Sequence, residues 1–307
     1  MITEEILETL ISIDSLKEVG LNENIISLQE KIEKASTNLR YLSKYVKAKK
    51  IMSILGEKDS DIYVQCLAKS GTTLTQMILY QMTTEGEMNF NHIYDVSPWL
   101  GQFGEFTQAE ILAFAEKIPN FGKRRIFKSH FGYPFFKDVK KGKFVYIIRN
   151  ALDQTLSFYH HHKNYYNPDL EFESFVNKGM FEGWFRNNTE WIKNESELNI
   201  IYIHYEDLVE RKGDIIEKLA DFLKIDLNNE KLERIIERSS FPFMKKNEHK
   251  FGEQPGREDS KIYNKFIRKG EIGAGESHFT KEQILKYYEL SNDYLGNHDL
   301  TKRYFIR

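Results

Sequence analysis

The chain has 307 residues, 40% hydrophobic and 14% aromatic, enough apolar surface for one large α/β domain or two small ones. Its formal net charge of -2 excludes a global drive toward nucleic acid or an anionic membrane, so any anion site must be local. The single cysteine, Cys66, excludes an intrachain disulfide and a multi-cysteine metal site.

The chain opens on MITEEILETL, which is acidic and lacks the basic region and long apolar run of a signal peptide. No stretch approaches the roughly 18 apolar residues of a membrane span, so the expectation is a cytoplasmic protein. Ile6, Leu7 and Leu10, then Ile25, Leu28 and Ile32, fall at near-helical spacing. Residues 1–58 are expected to form two or three helices packed on a main domain of residues 59–307. The basic run at 44–50 reads as a solvated helix face.

Ile62, Val64 and Cys66 alternate with Tyr63, Gln65 and Leu67, a pattern suited to a buried strand. Ala68-Lys69-Ser70-Gly71-Thr72-Thr73 follows, then the helix-like TLTQMILYQM. A strand, a small-residue turn and a helix together aim backbone N–H groups and a helix dipole at an anion. Gly71 lets the backbone approach a ligand, Thr72 and Thr73 add hydroxyls, and Lys69 adds a mobile positive charge. The bland alternative is an ordinary strand-to-helix turn. The loop is P-loop-like but not a Walker A sequence, because Lys precedes Gly and the upstream glycine is missing.

Residues 84–106 show no clear period. Residues 107–117 read as a helix capped by Thr107, with Glu110 at the capping-box position. A short strand at 125–128 ends in Ser129-His130. KFVYII at 143–148 is a continuous apolar run, hence a central strand. It ends at Arg149-Asn150, and a helix follows to about residue 163. Two helices are expected in 171–195 and a buried strand at 199–204, closed by Tyr205-Glu206-Asp207. Amphipathic helices are expected at 213–224 and 229–239, an irregular polar stretch at 240–265, and a last helix from Thr280. Strands alternating with helices predict a single doubly wound α/β domain, with a central parallel sheet and helices on both faces. In such sheets the ligand sits beyond the carboxyl ends of the strands. Those ends carry Lys69, Lys128 with His130, Arg149 and Tyr205, side-chain types that suit one anionic ligand.

KSGTT resembles the loop of sulfotransferases that use 3′-phosphoadenosine 5′-phosphosulfate (PAPS). Other segments resemble the same cytosolic-type, small-molecule family in the same order. They are Phe127-Lys128-Ser129-His130, Arg149-Asn150 with Asp153 and Ser157, Tyr205-Glu206-Asp207, and Ser239-Ser240-Phe241 with Met244-Lys245-Lys246-Asn247. Arg268-Lys269-Gly270, followed by Gly273, completes the set. The resemblance implies His130 as general base, with Lys69 and Lys128 stabilising the leaving phosphate and the sulfuryl oxygens. It implies that Ser70, Gly71, Thr72 and Thr73 hold the 5′-phosphate. Arg149, Ser157, Arg268, Lys269 and Gly270 would hold the 3′-phosphate, and Tyr205, Ser239 and Phe241 would flank the adenine.

Three departures stand out. Leu74 replaces the family's tryptophan at the adenine, and Ala68 replaces a proline. Ala274-Gly275-Glu276 replaces Asp-Trp-Lys, which bears on the ordering of the loop over the cofactor. With Glu276, Lys281 and Gln283, the family's dimer motif is lost, so a monomer or a dimer through another surface is expected.

The expected cofactor is PAPS, with 3′,5′-ADP as product and no metal. Transfer of a singly charged sulfuryl group needs a divalent cation less than phosphoryl transfer does, and the adjacent His160, His161 and His162 point different ways on a helix. The expected partner is a small-molecule acceptor carrying a hydroxyl or amine, a specialised metabolite, with no nucleic acid and no membrane. Candidate acceptor-pocket residues are Trp99, Phe103, Phe106, Tyr133, Phe135 and Tyr165, together with Phe136, His161 and Tyr166, though most could equally be core. Two readings compete: a P-loop kinase, which would need magnesium, and a catalytically silent nucleotide-binding protein.

Overall fold

The computed structural model describes residues 23–121, 123–252, 266–294 and 298–304. These fall into two compact units. One is drawn from residues up to Leu55 and from Gly101–Ala115, the other from Gly56–Leu100 and from Glu116 onward.

In the smaller unit, the described part of the N-terminal segment is one helix, α1 (Glu23–Leu55). No Gly or Pro interrupts it, and Gly56 at φ 60 ends it.

The larger unit is built on four strands, β1 (Ile62–Gln65), β2 (Ile126–Ser129), β3 (Lys143–Ile148) and β4 (Ile200–His204). All pair in parallel, in the order β2-β1-β3-β4. Around them run α2 (Thr72–Thr83), α3 (Ile93–Val96), α5 (Tyr133–Phe136), α6 (Ala151–Tyr165) and α7 (Phe172–Val176), while α4 (Gln108–Lys117) falls mostly in the smaller unit. They continue as α8 (Met180–Lys193), α9 (Tyr205–Glu210), α10 (Lys212–Leu223), α11 (Asn229–Arg238), α12 (Phe241–Lys246) and α13 (Lys281–Asp293). The α4 cap is reciprocal, as its sequence predicts: Thr107 N–H donates to Glu110 Oε2 (2.7 Å) and Glu110 N–H to Thr107 Oγ1 (3.3 Å). The stretch expected to be irregular, 240–265, contains α12, because Ser240 caps it and Pro242 suits its first turn. Its later part lies outside the described residues.

The period-two alternation of the strands sorts the sheet into two chemically different faces. Ile62, Val64, Val145, Ile147 and Ile203 meet α2, α10 and α11 through Ile78, Leu79, Ile216, Leu219 and Ile235, all buried. On the other face Tyr63 stacks on Phe127 and Phe144, with centroids 5.7 and 4.7 Å apart. Trp191 of α8 covers Phe144 and Tyr146, and Phe136 of α5 packs edge-on against Phe144. Each such buried side chain contributes about 1.5–3 kcal/mol, so helices are held on both faces. At the amino ends of the strands, Arg125 forks onto both oxygens of Asp61 at 2.7 and 2.6 Å, a buried pair joining β1 to β2. The chain leaves β1 for β2 on one side and returns to β3 on the other. The switch point therefore lies between the carboxyl ends of β1 and β3, where open α/β sheets place their ligands.

Candidate active site

A cleft of about 600 Å³ opens at that switch point. The loop after β1 forms its floor. Gly71 is the N-cap of α2 at φ 105, and α2 has neither a side-chain cap nor an acidic residue in its first turn. The first N–H groups of α2 and its dipole are thus left for an anion. The loop is pinned from behind: Gln154 Nε2 donates to the Ala68 carbonyl (2.6 Å) and Arg149 Nη1 to the Lys69 carbonyl (2.9 Å). Ser70 is buried, and its N–H donates to the Leu67 carbonyl (3.2 Å). The cradle facing the cleft is therefore Lys69, Gly71, Thr72, Thr73 and Leu74, without Ser70.

Arg149 follows directly from β3. It is 8% exposed, its guanidinium lies 4.3 Å over the Tyr205 ring, and its buried Nε has no hydrogen-bond partner. Its Nη1 and Nη2 donate to the Lys69 and Glu271 carbonyls, which holds the guanidinium charge at the cleft wall. Burial lowers the pKa of Arg268, against the Glu271 charge that raises it, and the nearby Arg149 charge adds to the lowering. Among the described lining residues, six are Lys or Arg (Lys69, Lys128, Arg149, Lys212, Arg268, Lys269) and one, Glu271, is acidic. In a chain of net charge -2, that concentration marks a site for a polyanion.

At the end of β2, Lys128 donates to Tyr94 Oη (2.7 Å) and lies 5.4 Å over the Trp99 ring. Two residues on, His130 Nδ1 lies 2.8 Å from the Cys66 carbonyl. A carbonyl only accepts, so the proton sits on Nδ1 and Nε2 is the basic nitrogen. His130 is half-buried and lines the cleft. Burial first, then the Lys128 charge, pushes its pKa down to about 3, keeping the ring neutral. Cys66 is an inert core residue whose thiol burial pushes up to about 12.

The remaining expected residues divide. Ser157, Tyr205, Ser239, Phe241, Arg268, Lys269 and Gly270 all line the cleft. The Ser239 hydroxyl donates to the Ile235 carbonyl of α11 (2.6 Å), and Tyr205 stands over Gly71 rather than apart from the phosphate loop. Gly270 sits against the Phe241 ring, where a Cβ would come within 2.8 Å. Of the acceptor candidates, Trp99, His161 and Tyr166 line the cleft. Phe135 is core, stacked on Phe131 at 4.4 Å, because it faces inward from α5, and Phe136 is fully buried beside it. Tyr133 packs edge-on against Trp191 and Tyr165 packs on His161. Phe106 packs against Phe114 within the smaller unit, and the Phe103 side chain lies outside the described residues. Tyr94 and Lys212 also line the cleft. Neither carries a sequence signal, since Tyr94 comes from a one-turn helix and Lys212 starts an ordinary amphipathic one. Among the described residues, no group of three or more His, Cys, Asp or Glu is arranged for a metal ion, and no helix is long and apolar enough to cross a membrane.

A parallel α/β sheet with a cationic nucleotide-sized cleft at its switch point and a neutral histidine beside it defines a group-transfer enzyme acting on an anionic donor. The family model described as "Sulfotransferase domain" matches residues 59–298, and the chain belongs to that family. It is 29% identical over 243 residues to the amine sulfotransferase of Oryctolagus cuniculus, covering 75% of this chain and 79% of that one. It is 27% identical over 257 residues to the 3-beta-hydroxysteroid sulfotransferase of Cavia porcellus, covering 78% and 85%. The fold matches a crystal structure of retinol dehydratase in complex with androsterone and inactive cofactor PAP, with a TM-score of 0.66 and 22% identity over 83% of this chain and 86% of that one. The protein is a PAPS-dependent sulfotransferase.

Proposed function

We propose that the cleft transfers a sulfuryl group to a hydroxyl or amine of a small specialised metabolite, with His130 as the general base and without a metal ion. The observation that carries this reading is the His130–Cys66 hydrogen bond, which fixes Nε2 as the basic nitrogen of a ring lining the cleft. PAPS, when bound, supplies an activated sulfuryl group on a phosphate leaving group. The donor set fits it: an uncapped α2 start with Lys69, Gly71, Thr72 and Thr73 for the 5′-phosphate side, and Arg149, Ser157, Arg268, Lys269 and Gly270 for the 3′-phosphate. Phe241, Ser239 and Leu74 line the same cleft and offer the adenine a largely one-sided apolar contact. Lys69 and Lys128 hold positive charge beside His130, which supports stabilisation of oxygen charge as it develops. His130 Nε2 accepts the acceptor's proton. Trp99, Phe158, His161, His162 and Tyr166 supply an aromatic wall of the kind that suits a small ring-bearing acceptor.

The assembly reading follows from α13. Gln283 is buried and engaged with Thr280 in a capping box, with N···O distances of 3.0 and 3.2 Å, which supports a monomer or a dimer through another surface. We place the protein in the cytoplasm. An ATP-dependent kinase is the weaker reading, since the loop lacks a Walker A sequence.

The test is His130→Ala. It should keep its affinity for 3′,5′-ADP in calorimetry and lose about 10²–10⁴-fold in sulfuryl transfer, with no change on adding a chelator. Near-normal turnover with a weakly acidic alcohol would remove the histidine from the mechanism.

A further inference from the structure

Residues 266–275 carry Arg268, Lys269 and Gly270 into the cleft; Phe266 and Ile267 pack on the cluster of Met77, Tyr80 and Phe251, but beyond them little apolar burial holds the segment. Lys269, Gly270, Glu271 and Gly273 are exposed, and Ile272 is only partly buried against the aliphatic core. Lys245 Nζ holds the start of the segment through the Ile267 carbonyl (2.7 Å), and Arg149 reaches the Glu271 carbonyl only at 3.4 Å. The start is also held by the Ile267 N–H, which donates to Glu248 Oε1 (2.5 Å), and a second tight contact is at the far end. Asp153 accepts the Gly273 N–H on Oδ2 and the Gly275 N–H on Oδ1, both at 2.7 Å.

We infer that Asp153 is a positioning residue that latches this loop over the 3′-phosphate end of the cleft, an inference that rests on the proposed placement of that phosphate. Asp153 is 4% exposed and lies in the first turn of α6, one turn beyond Arg149. Two charge-assisted bonds from alternate residues of one loop fix its position and its direction. Gly275 is required for the approach: a Cβ there would stand 2.6 Å from both Asp153 N and Leu152 C, backbone atoms that cannot step aside. The residues Ala274 and Gly275 are where the chain departs from its family's Asp-Trp.

Charge alone predicts the opposite sign, which makes the latch testable. Asp153 also lies near Arg268 and offsets its charge, so removing the carboxylate would by electrostatics favour an anion. The latch predicts that Asp153→Asn weakens 3′,5′-ADP by about tenfold or more, because the Arg268 grip loses its support, while 5′-AMP binding stays within about twofold. Gly275→Ala, which keeps the carboxylate and the helix start, should do the same. Hydrogen exchange without nucleotide supplies the independent arm: the Gly273 and Gly275 amides should be protected in the natural chain and exchange at least about tenfold faster in Asp153→Asn. Unprotected amides in the natural chain, or tighter 3′,5′-ADP binding by Asp153→Asn, would overturn the latch. Protected amides that lose protection in Asp153→Asn, with natural-chain affinities equal for 3′,5′-ADP and 5′-AMP, would keep the latch and overturn the placement of the 3′-phosphate.

Discussion

Gly71→Ala tests whether the phosphate loop and the arginine beside it form one mechanical unit. Gly71 sits at φ 105 and ψ 15, a backbone region that costs a side-chain-bearing residue about 1–3 kcal/mol. The added Cβ would also stand 2.6 Å from Tyr205 Cδ2 and 3.1 Å from Cε2. Carbon atoms settle at about 3.5–4.0 Å, so the ring must retreat by roughly 1 Å. Tyr205 is 8% exposed and carries the Arg149 guanidinium at 4.3 Å on its face. Moving it weakens a cation–π contact of about 0.5–2 kcal/mol. The expected stability loss is about 2–4 kcal/mol, read as a lower urea midpoint at constant slope. Shifting Arg149 also removes a charge-assisted hydrogen bond of about 1.5–3 kcal/mol from a bound phosphate. Affinity for 3′,5′-ADP should then fall about 10- to 100-fold in calorimetry. A variant with the natural midpoint and the natural dissociation constant would refute both the strain and the coupling. A lower midpoint with unchanged affinity would leave the strain standing and detach Tyr205 from the grip on the nucleotide.

Two further outcomes are expected. Burial, the largest cause in each case, pushes His130 to about 3 and His160 and His204 to about 4. The unfolded chain takes up those protons near 6.5 and the native one does not. Stability should therefore be full above pH 6.5 and fall as pH drops toward 4, and a urea midpoint equal at pH 7.5 and pH 5 would contradict the burial of these rings. Phe241→Ala should weaken nucleotide binding by about 1 kcal/mol with little loss of stability, since the ring is 41% exposed; an unchanged dissociation constant would remove Phe241 from the adenine.

The sheet is legible in the sequence because its strands are short apolar runs bounded by polar turns. The pattern 62–67 predicts β1, though the pairing with β2 stops at Gln65. Chemistry at the strand ends is legible for a related reason. A parallel sheet delivers every carboxyl end to one edge, so Lys69, Lys128, His130, Arg149 and Tyr205 converge whatever the details of packing. What composition does not reveal is which aromatic residue faces which way. Phe135 and Phe136 sit in a one-turn helix that turns both into the core, whereas Tyr94 leaves a similar helix for the cleft.

For one wall the missing signal was present as spacing. Phe158, His162 and Tyr166 stand at i, i+4 and i+8, a single row of α6 and its C-cap, and their rings touch in sequence at 4.5 and 5.3 Å. All three line the cleft, as do Ser157 and His161 on the adjoining row. The apolar stripe of a helix normally points to the core. The core-facing residues Leu152, Leu156 and Tyr159 lie beside this row, and Phe158 and His162 also pack on Phe175, so the row backs onto a small aromatic cluster while it lines the cleft. On the proposed reading this row is the acceptor wall. On the same reading α6 has two duties along its length, with Asp153 and Ser157 serving the loop and the nucleotide near its start and the aromatic row serving the acceptor toward its end.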